Sequence, residues 1–139
     1  MYKKILLPTD GSKFAKRALK HAVFIASKSG AEIIALDVVD TNHYVGLPVE
    51  ESVYHLNEIL KEEAQKNLKE IEDSAEEVKI IPKIVEDSPA NEILNVAEDE
   101  DISIIIMGSS GKTGFERFLL GSVADKVVKN AKCPVLIVH

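Results

Sequence analysis

Glycines and hydroxyls crowd Gly108-Ser109-Ser110-Gly111 and return at Gly121-Ser122, directly after the most apolar run of the chain, Ile102 to Met107. Glycine lets backbone amides approach an anion with no Cβ in the way, and a helix starting behind such a loop adds donors and partial positive charge. Phosphate binding is the chemistry this pattern suits. Two familiar motifs do not account for it. A P-loop needs Gly-x4-Gly-Lys-Ser/Thr; Gly111-Lys112-Thr113 supplies the second half, but Ile106 stands where the first glycine belongs. No Gly-x-Gly-x-x-Gly occurs, so the dinucleotide fingerprint is missing as well. What remains is Gly-x2-Gly-x9-Gly-Ser, made by Gly108, Gly111, Gly121 and Ser122. Amides around Gly108 to Gly111 and at Gly121, Ser122 and Val123 would nest the phosphates, hydroxyls of Ser109 and Ser122 would add donors, and Lys112 or Arg117 would reach in from the intervening loop. The same residues equally admit a plain reading, in which the glycines build a loop, Ser122 caps a helix and both cations are solvated.

No catalytic centre is nominated. His21, His43, His55 and His139 lack metal-ligand spacing, and no Ser/His/Asp series or Cys/His pair falls on predicted loop ends. The lone cysteine, Cys133, has no internal disulfide partner and reads as a small packed residue. A binding protein fits these residues better than an enzyme with fast turnover.

The elements that must position the glycines follow from periodicity. Residues 3 to 8 form a first strand, and Ser12 caps a helix whose apolar positions run from Phe14 to Ala26 and which stops at Gly30. Ala31 to Val39 is a nearly continuous buried strand, followed by a loop from Asp40 to Pro48. Val53, Leu56, Leu60, Ala64, Leu68, Ile71 and Ala75 then mark one stripe of a long helix. Val78 to Val85 is a third strand, placed at a sheet edge by Pro82, and Ser88-Pro89 opens a short helix. Residues 102 to 107 make the fourth strand, Ser122 caps the last helix, and Pro134 to Val138 is the fifth strand.

Alternation of this kind predicts a single-domain α/β fold over residues 1–139: a doubly wound, Rossmann-like, five-stranded parallel sheet in the order 3-2-1-4-5 with four helices on both faces. That order sets strands one and four side by side at the switch point, so Pro8-Thr9-Asp10 and Met107-Gly108-Ser109 converge where ligands of open α/β sheets bind. Strand five is an edge, yet Val135, Leu136, Ile137 and Val138 are all apolar, which predicts a two-fold homodimer by antiparallel pairing of that strand.

At 139 residues with 45% hydrophobic and 29% charged side chains, the chain is long enough to bury its own core. A net charge of −6 argues against nucleic acid and anionic membrane as partners. No apolar run nears the ~20 residues of a membrane span, and Lys3-Lys4-Ile5-Leu6-Leu7 is too short for a signal sequence, so a cytoplasmic address is expected.

The opening Ile5-Leu6-Leu7-Pro8-Thr9-Asp10-Gly11-Ser12, the Gly-x2-Gly-x9-Gly-Ser spacing, Met107-Gly108-Ser109 and the final Cys133-Pro134-Val135-Leu136-Ile137-Val138, in this order, resemble the ATP-binding branch of the universal stress protein family over essentially the whole chain. The resemblance implies a protein that binds ATP as a cofactor-like ligand, commonly as a homodimer, with little or no intrinsic hydrolysis and a role as a nucleotide-dependent switch or adaptor in stress response. It further implies that Asp10 lies near the adenosine end or a Mg or Mn ion bound with the phosphates, that Val38 lines the adenine pocket, and that Pro8 and Met107 form apolar walls. Thr9 belongs to the same Pro-Thr-Asp motif. Ser110 replaces the histidine or larger residue of many relatives, so no contact specific to that side chain carries over. Two other readings are a slow metal-assisted ATPase using Asp10 and a dimeric interaction module that binds no nucleotide.

Overall fold

The computed structural model describes residues 1–47, 49–111 and 120–139. Its elements are β1 (Lys4–Pro8), α1 (Lys13–Ser29), β2 (Glu32–Asp40), a 3-10 turn (Thr41–Tyr44), α2 (Glu50–Ser74), β3 (Ile80–Asp87), α3 (Pro89–Asp99), β4 (Ile104–Gly108), α4 (Ser122–Asn130) and β5 (Val135–Val138). The sheet runs β3-β2-β1-β4-β5 with every neighbouring pair parallel, the predicted order.

Side-chain alternation assigns the layers. Ile5, Leu7, Ile33, Ile104 and Ile106 pack against the alanine face of α1, Ala18, Ala22 and Ala26. Ala35 on the same side of the sheet meets Leu68 and Ile71 of α2. The intervening residues Leu6, Ile34, Leu36, Ile105 and Met107 face the other way, onto Ala90, Ile93 and Val96 of α3 and Ala124 and Val127 of α4. Alanine on α1 lets that helix lie close to the sheet. Burial on both faces explains why β1, β2 and β4 read as continuous apolar runs.

Helix ends follow local chemistry with one correction. Ser12 Oγ accepts from the Ala15 amide at 3.2 Å, and Gly30 closes α1 with φ +76°, a conformation that costs glycine no Cβ clash. For α4, however, the N-cap is Gly121, not Ser122: the Gly121 carbonyl accepts from Asp125 N at 2.9 Å and Ser122 is the first helical residue. Ser88 occupies the cap of α3 without a side-chain bond, and Pro89 supplies the preset first turn.

Strand bounds shift by a residue or two. β4 starts at Ile104, because Ile102 N still bonds to Ala97 O at the end of α3. β3 reaches Asp87, since its ladder with β2 continues through Asp40↔Asp87 even though Glu86 and Asp87 are polar. Among the described residues no helix is long and apolar enough to cross a membrane.

Candidate functional site

A cavity of about 600 Å³ opens beyond the carboxyl ends of β1, β2 and β4, within the range of small-molecule sites. Chain connectivity places it there. After β1 the chain turns to the α1 face and after β4 to the α4 face, so the two connections part and leave a crevice between them.

Of the residues singled out from sequence, Pro8, Thr9, Asp10, Val38, Met107, Gly108, Gly111, Gly121, Ser122 and Val123 all line this cavity. Ser109 does not. Only 3% exposed, it works through its backbone: its amide donates to Val138 O at 2.8 Å, and its carbonyl accepts from Gly121 N at 2.8 Å. Ser109 thereby ties β5 and the head of α4 to the end of β4, while Ser110 takes its place on the cavity wall. Lys112 and Arg117 lie outside the described residues.

Each glycine is small for its own reason. A Cβ on Gly108 would lie 2.6 Å from Phe14 Cβ, so this glycine lets β4 pack on the first turn of α1. A Cβ on Gly111 would lie 2.7 Å from Asp10 Oδ2, so its absence lets the β1 and β4 loops touch. Gly121 is the roomier position, with Ser109 O and Ser110 Cα both at 3.4 Å from a built Cβ and φ at −63°. Behind it, the Ser122 and Val123 amides belong to the first turn of α4, whose N–H groups have no acceptor within the helix and carry the positive end of its dipole.

The β1 loop is an Asx turn: Asp10 Oδ1 accepts from Ser12 N at 2.9 Å, and Thr9 Oγ1 accepts from Gly11 N at 3.3 Å. Thr9 N donates to Leu36 O at 2.8 Å, which pins the loop to the end of β2. Gly11 has φ +79°, and a Cβ there would fall 2.7 Å from Asn67 Oδ1, so the turn lies directly against α2.

Sequence reasoning missed the α2 side of the cavity. Asp37, Asp40, Leu60, Glu63, Ala64 and Asn67 line it. Asp37 alternates with Ile33 and Ala35, so its carboxylate turns toward α2, where Oδ2 accepts from Asn67 Nδ2 at 3.3 Å. It is only 6% exposed. A charged residue within the run Ile33 to Val39 was the available signal. Together with Asp10, this side carries four carboxylates, and no Lys or Arg is among the described lining residues.

The outer wall is braced at the β2–α2 connection. Asp40 Oδ1 accepts from Asn42 N at 2.9 Å to start the 3-10 turn, and Tyr44 Oη donates to Asn57 Oδ1 at 2.5 Å. Lys61, next to the cavity-lining Leu60, pairs with Glu86 of β3 at 2.7 Å. Hydrogen bonding from that ammonium holds the Glu86 carboxyl below the usual range, the carboxylate raises Lys61 in return, and burial raises the Tyr44 phenol.

Comparison with known proteins agrees with this architecture. The sequence profile of the universal stress protein family matches residues 1–139. Universal stress protein MJ0531 of Methanocaldococcus jannaschii is 52% identical over 140 residues, covering 99% of this chain and 82% of its own length. Universal stress protein MJ0577 of the same organism is 41% identical, covering 99% of this chain and 95% of its own. A solved structure of MJ0577 superposes with a TM-score of 0.89, at 43% identity, over 99% of this chain and 96% of that one. A universal stress protein solved in complex with cAMP superposes with a TM-score of 0.75, at 25% identity, over 99% of this chain and 97% of that one. On its sequence along the full length and on its fold, the chain belongs to the universal stress protein family.

Proposed function

We propose that the protein binds an adenine nucleotide, ATP first among them, in the cavity at the β1/β4 switch point and acts as a nucleotide-dependent switch or adaptor with little or no hydrolysis. The observation that carries this reading is the division of one 600 Å³ cavity into a glycine-rich end at the head of α4 and apolar walls made by Pro8, Val38 and Met107. The first suits phosphates, the second a flat base. Thr9 and Asp10, between them, would face the sugar. A family member in complex with cAMP supports an adenine nucleotide as the ligand class.

Among the described residues no three His, Cys, Asp or Glu side chains are grouped to hold a metal ion. A Mg or Mn ion accompanying ATP would be held by the phosphate oxygens, with Asp10, whose Oδ2 lies 2.7 Å from the place of a Cβ on Gly111, as a carboxylate beside the glycine loop. It would supply charge neutralisation; positioning of the nucleotide would fall to the chain's own amides.

β5 is the sheet edge beside β4, and its Val135, Leu136 and Ile137 are only half-buried. This supports a homodimer formed through Pro134 to Val138. A monomer at micromolar concentration in gel filtration with light scattering would refute it.

The nucleotide reading is tested by denaturing freshly purified protein, identifying released small molecules by mass spectrometry, and measuring thermal stability with Mg-ATP. Ligand at about a hundred times its Kd should stabilise by about 2.7 kcal/mol. A protein that carries no nucleotide and does not respond to any adenine nucleotide would overturn the reading.

A further inference from the structure

We infer that the outer surface made by α1 and the second half of α2 is a self-complementary docking face for a second copy of this chain, with α1 of each copy seated on α2 of the other.

Charge is divided between the two helices. α1 carries Lys13, Lys16, Arg17, Lys20 and Lys28 and no acidic residue, on a chain whose net charge is −6. Its alanine face is buried against the sheet, and the side chains pointing out recur at helical spacing: Arg17, Lys20, Phe24 and Lys28 are all exposed, Phe24 at 63%. Among the described residues seven lysines elsewhere are each paired with a carboxylate, whereas Lys16, Arg17, Lys20 and Lys28 meet none. The complement lies at the end of α2 and just after it. There Glu70, Glu72, Asp73, Glu76 and Glu77 are exposed, and only Asp73 is in an ion pair, with Lys69 at 2.9 Å. Lys66 and Lys69 offset two of these five charges and leave the stretch acidic.

The fold sets the two stretches level with each other. α1 and α2 cover the same side of the sheet, α1 over β1 and β4 and α2 over β2. Both cross back between parallel strands, so they run in the same direction. Gly11, just before α1, lies against Asn67, and at the other end Ser27 and Gly30 share a groove with Glu77 and Val78. The basic stripe therefore lies beside residues 67–78.

Two such layers can meet face to face about a two-fold axis in the plane of contact. An axis across the helices sets α1 on α1, which repels. An axis along the groove between them sets each α1 on the other copy's α2 at the same level, pairing opposite charges twice. Two helices about 25 Å long and about 20 Å wide together bury about 500 Å² per copy, about 1,000 Å² in all, the lower bound of a specific interface, so the association is weak. At about 0.1 M salt a screening length of about 10 Å damps the mutual repulsion of two copies of net charge −6 but spares contacts a few ångströms long.

The test is sedimentation velocity of the protein at one high-micromolar concentration in about 0.1 M and about 1 M salt, where the screening length is about 10 Å and about 3 Å. The wild type should show at least about twice the mass at the lower salt. Arg17→Glu with Lys20→Glu, and separately Glu72→Lys with Glu76→Lys, should each stay light at both salts while keeping the circular dichroism of the wild type. An equimolar mixture of these two variants should regain the heavy species, because the reversed α1 of one meets the reversed α2 of the other and the unaltered helices pair as before. Lys16→Glu with Lys28→Glu, and Glu70→Lys with Glu77→Lys, repeat the exchange if a first pair does not fold. β5 is untouched by every substitution, so pairing through that strand adds equally to all samples. One mass for the wild type at both salts overturns the inference, as do single-face variants that associate like the wild type. A mixture that stays light overturns it too, and assigns the basic stripe to an anionic partner other than this chain.

Discussion

Gly108→Ala separates a packing glycine from a binding one. The added methyl would sit 2.6 Å from Phe14 Cβ and 2.9 Å from its carbonyl carbon. The obstacle includes the backbone of the first turn of α1, a helix anchored along Phe14, Ala15, Ala18, Ala22 and Ala26, so it cannot yield by a rotamer change. Overpacking typically costs about 1–3 kcal/mol, and a backbone obstacle puts this case at the upper end, about 3 kcal/mol. With 139 residues at about 2.1 cal/mol/K each, the unfolding entropy is about 0.29 kcal/mol/K, so Tm should fall by about 10 °C. Scanning calorimetry on nucleotide-free protein measures the drop directly, and urea unfolding checks it by another route. A Tm within about 2 °C of wild type would refute the packing argument and leave Gly108 to be explained by ligand approach alone.

Gly121→Ala should behave in the opposite way: with 3.4 Å of clearance and φ at −63° it should lose no more than about 1 kcal/mol of stability, while ATP affinity drops at least about tenfold. Unchanged affinity in a titration would remove the head of α4 from the phosphate site. Because Lys61 holds the Glu86 carboxyl below its usual range, their pair contributes stability above the ordinary glutamate value of about 4.3 and loses it as pH falls through the lower folded value. Glu86→Gln should therefore be less stable than wild type in urea at pH 7, with the gap closing under acid; a gap independent of pH would contradict the assignment. Ser12→Ala should cost about 1 kcal/mol by removing the cap on the Ala15 amide, read as a lower urea midpoint at constant m.

The fold was largely legible because its rules are local. Apolar runs with turn residues between them located β1, β2 and β4, whose burial on both faces leaves no polar alternation to confuse the reading. Pro82 announced an edge, and β3 is one. The convergence of the β1 and β4 loops followed from strand order and handedness, without side-chain detail. Bounds slipped where hydrogen bonding outran hydrophobicity, as at Glu86 and Asp87, and the cap of α4 fell on Gly121 because a glycine followed by serine supports either residue as the cap.

By itself, then, the sequence determined which segments are strands and helices, their order in the sheet and the end of the sheet where the cavity opens, since these depend on periodicity, turn chemistry and chain handedness. Tertiary structure alone decided what each small or polar residue is for. Gly108 is small because of Phe14 and its backbone, Gly11 holds a φ of +79° against Asn67, and Ser109 turns from the cavity to bind β5 through its backbone. Asp37 meets Asn67 across 30 positions of chain. Periodicity reports that a position is buried, but the partner it is buried against is set by how sheet and helices stack, and that pairing is what gives the cavity its chemistry.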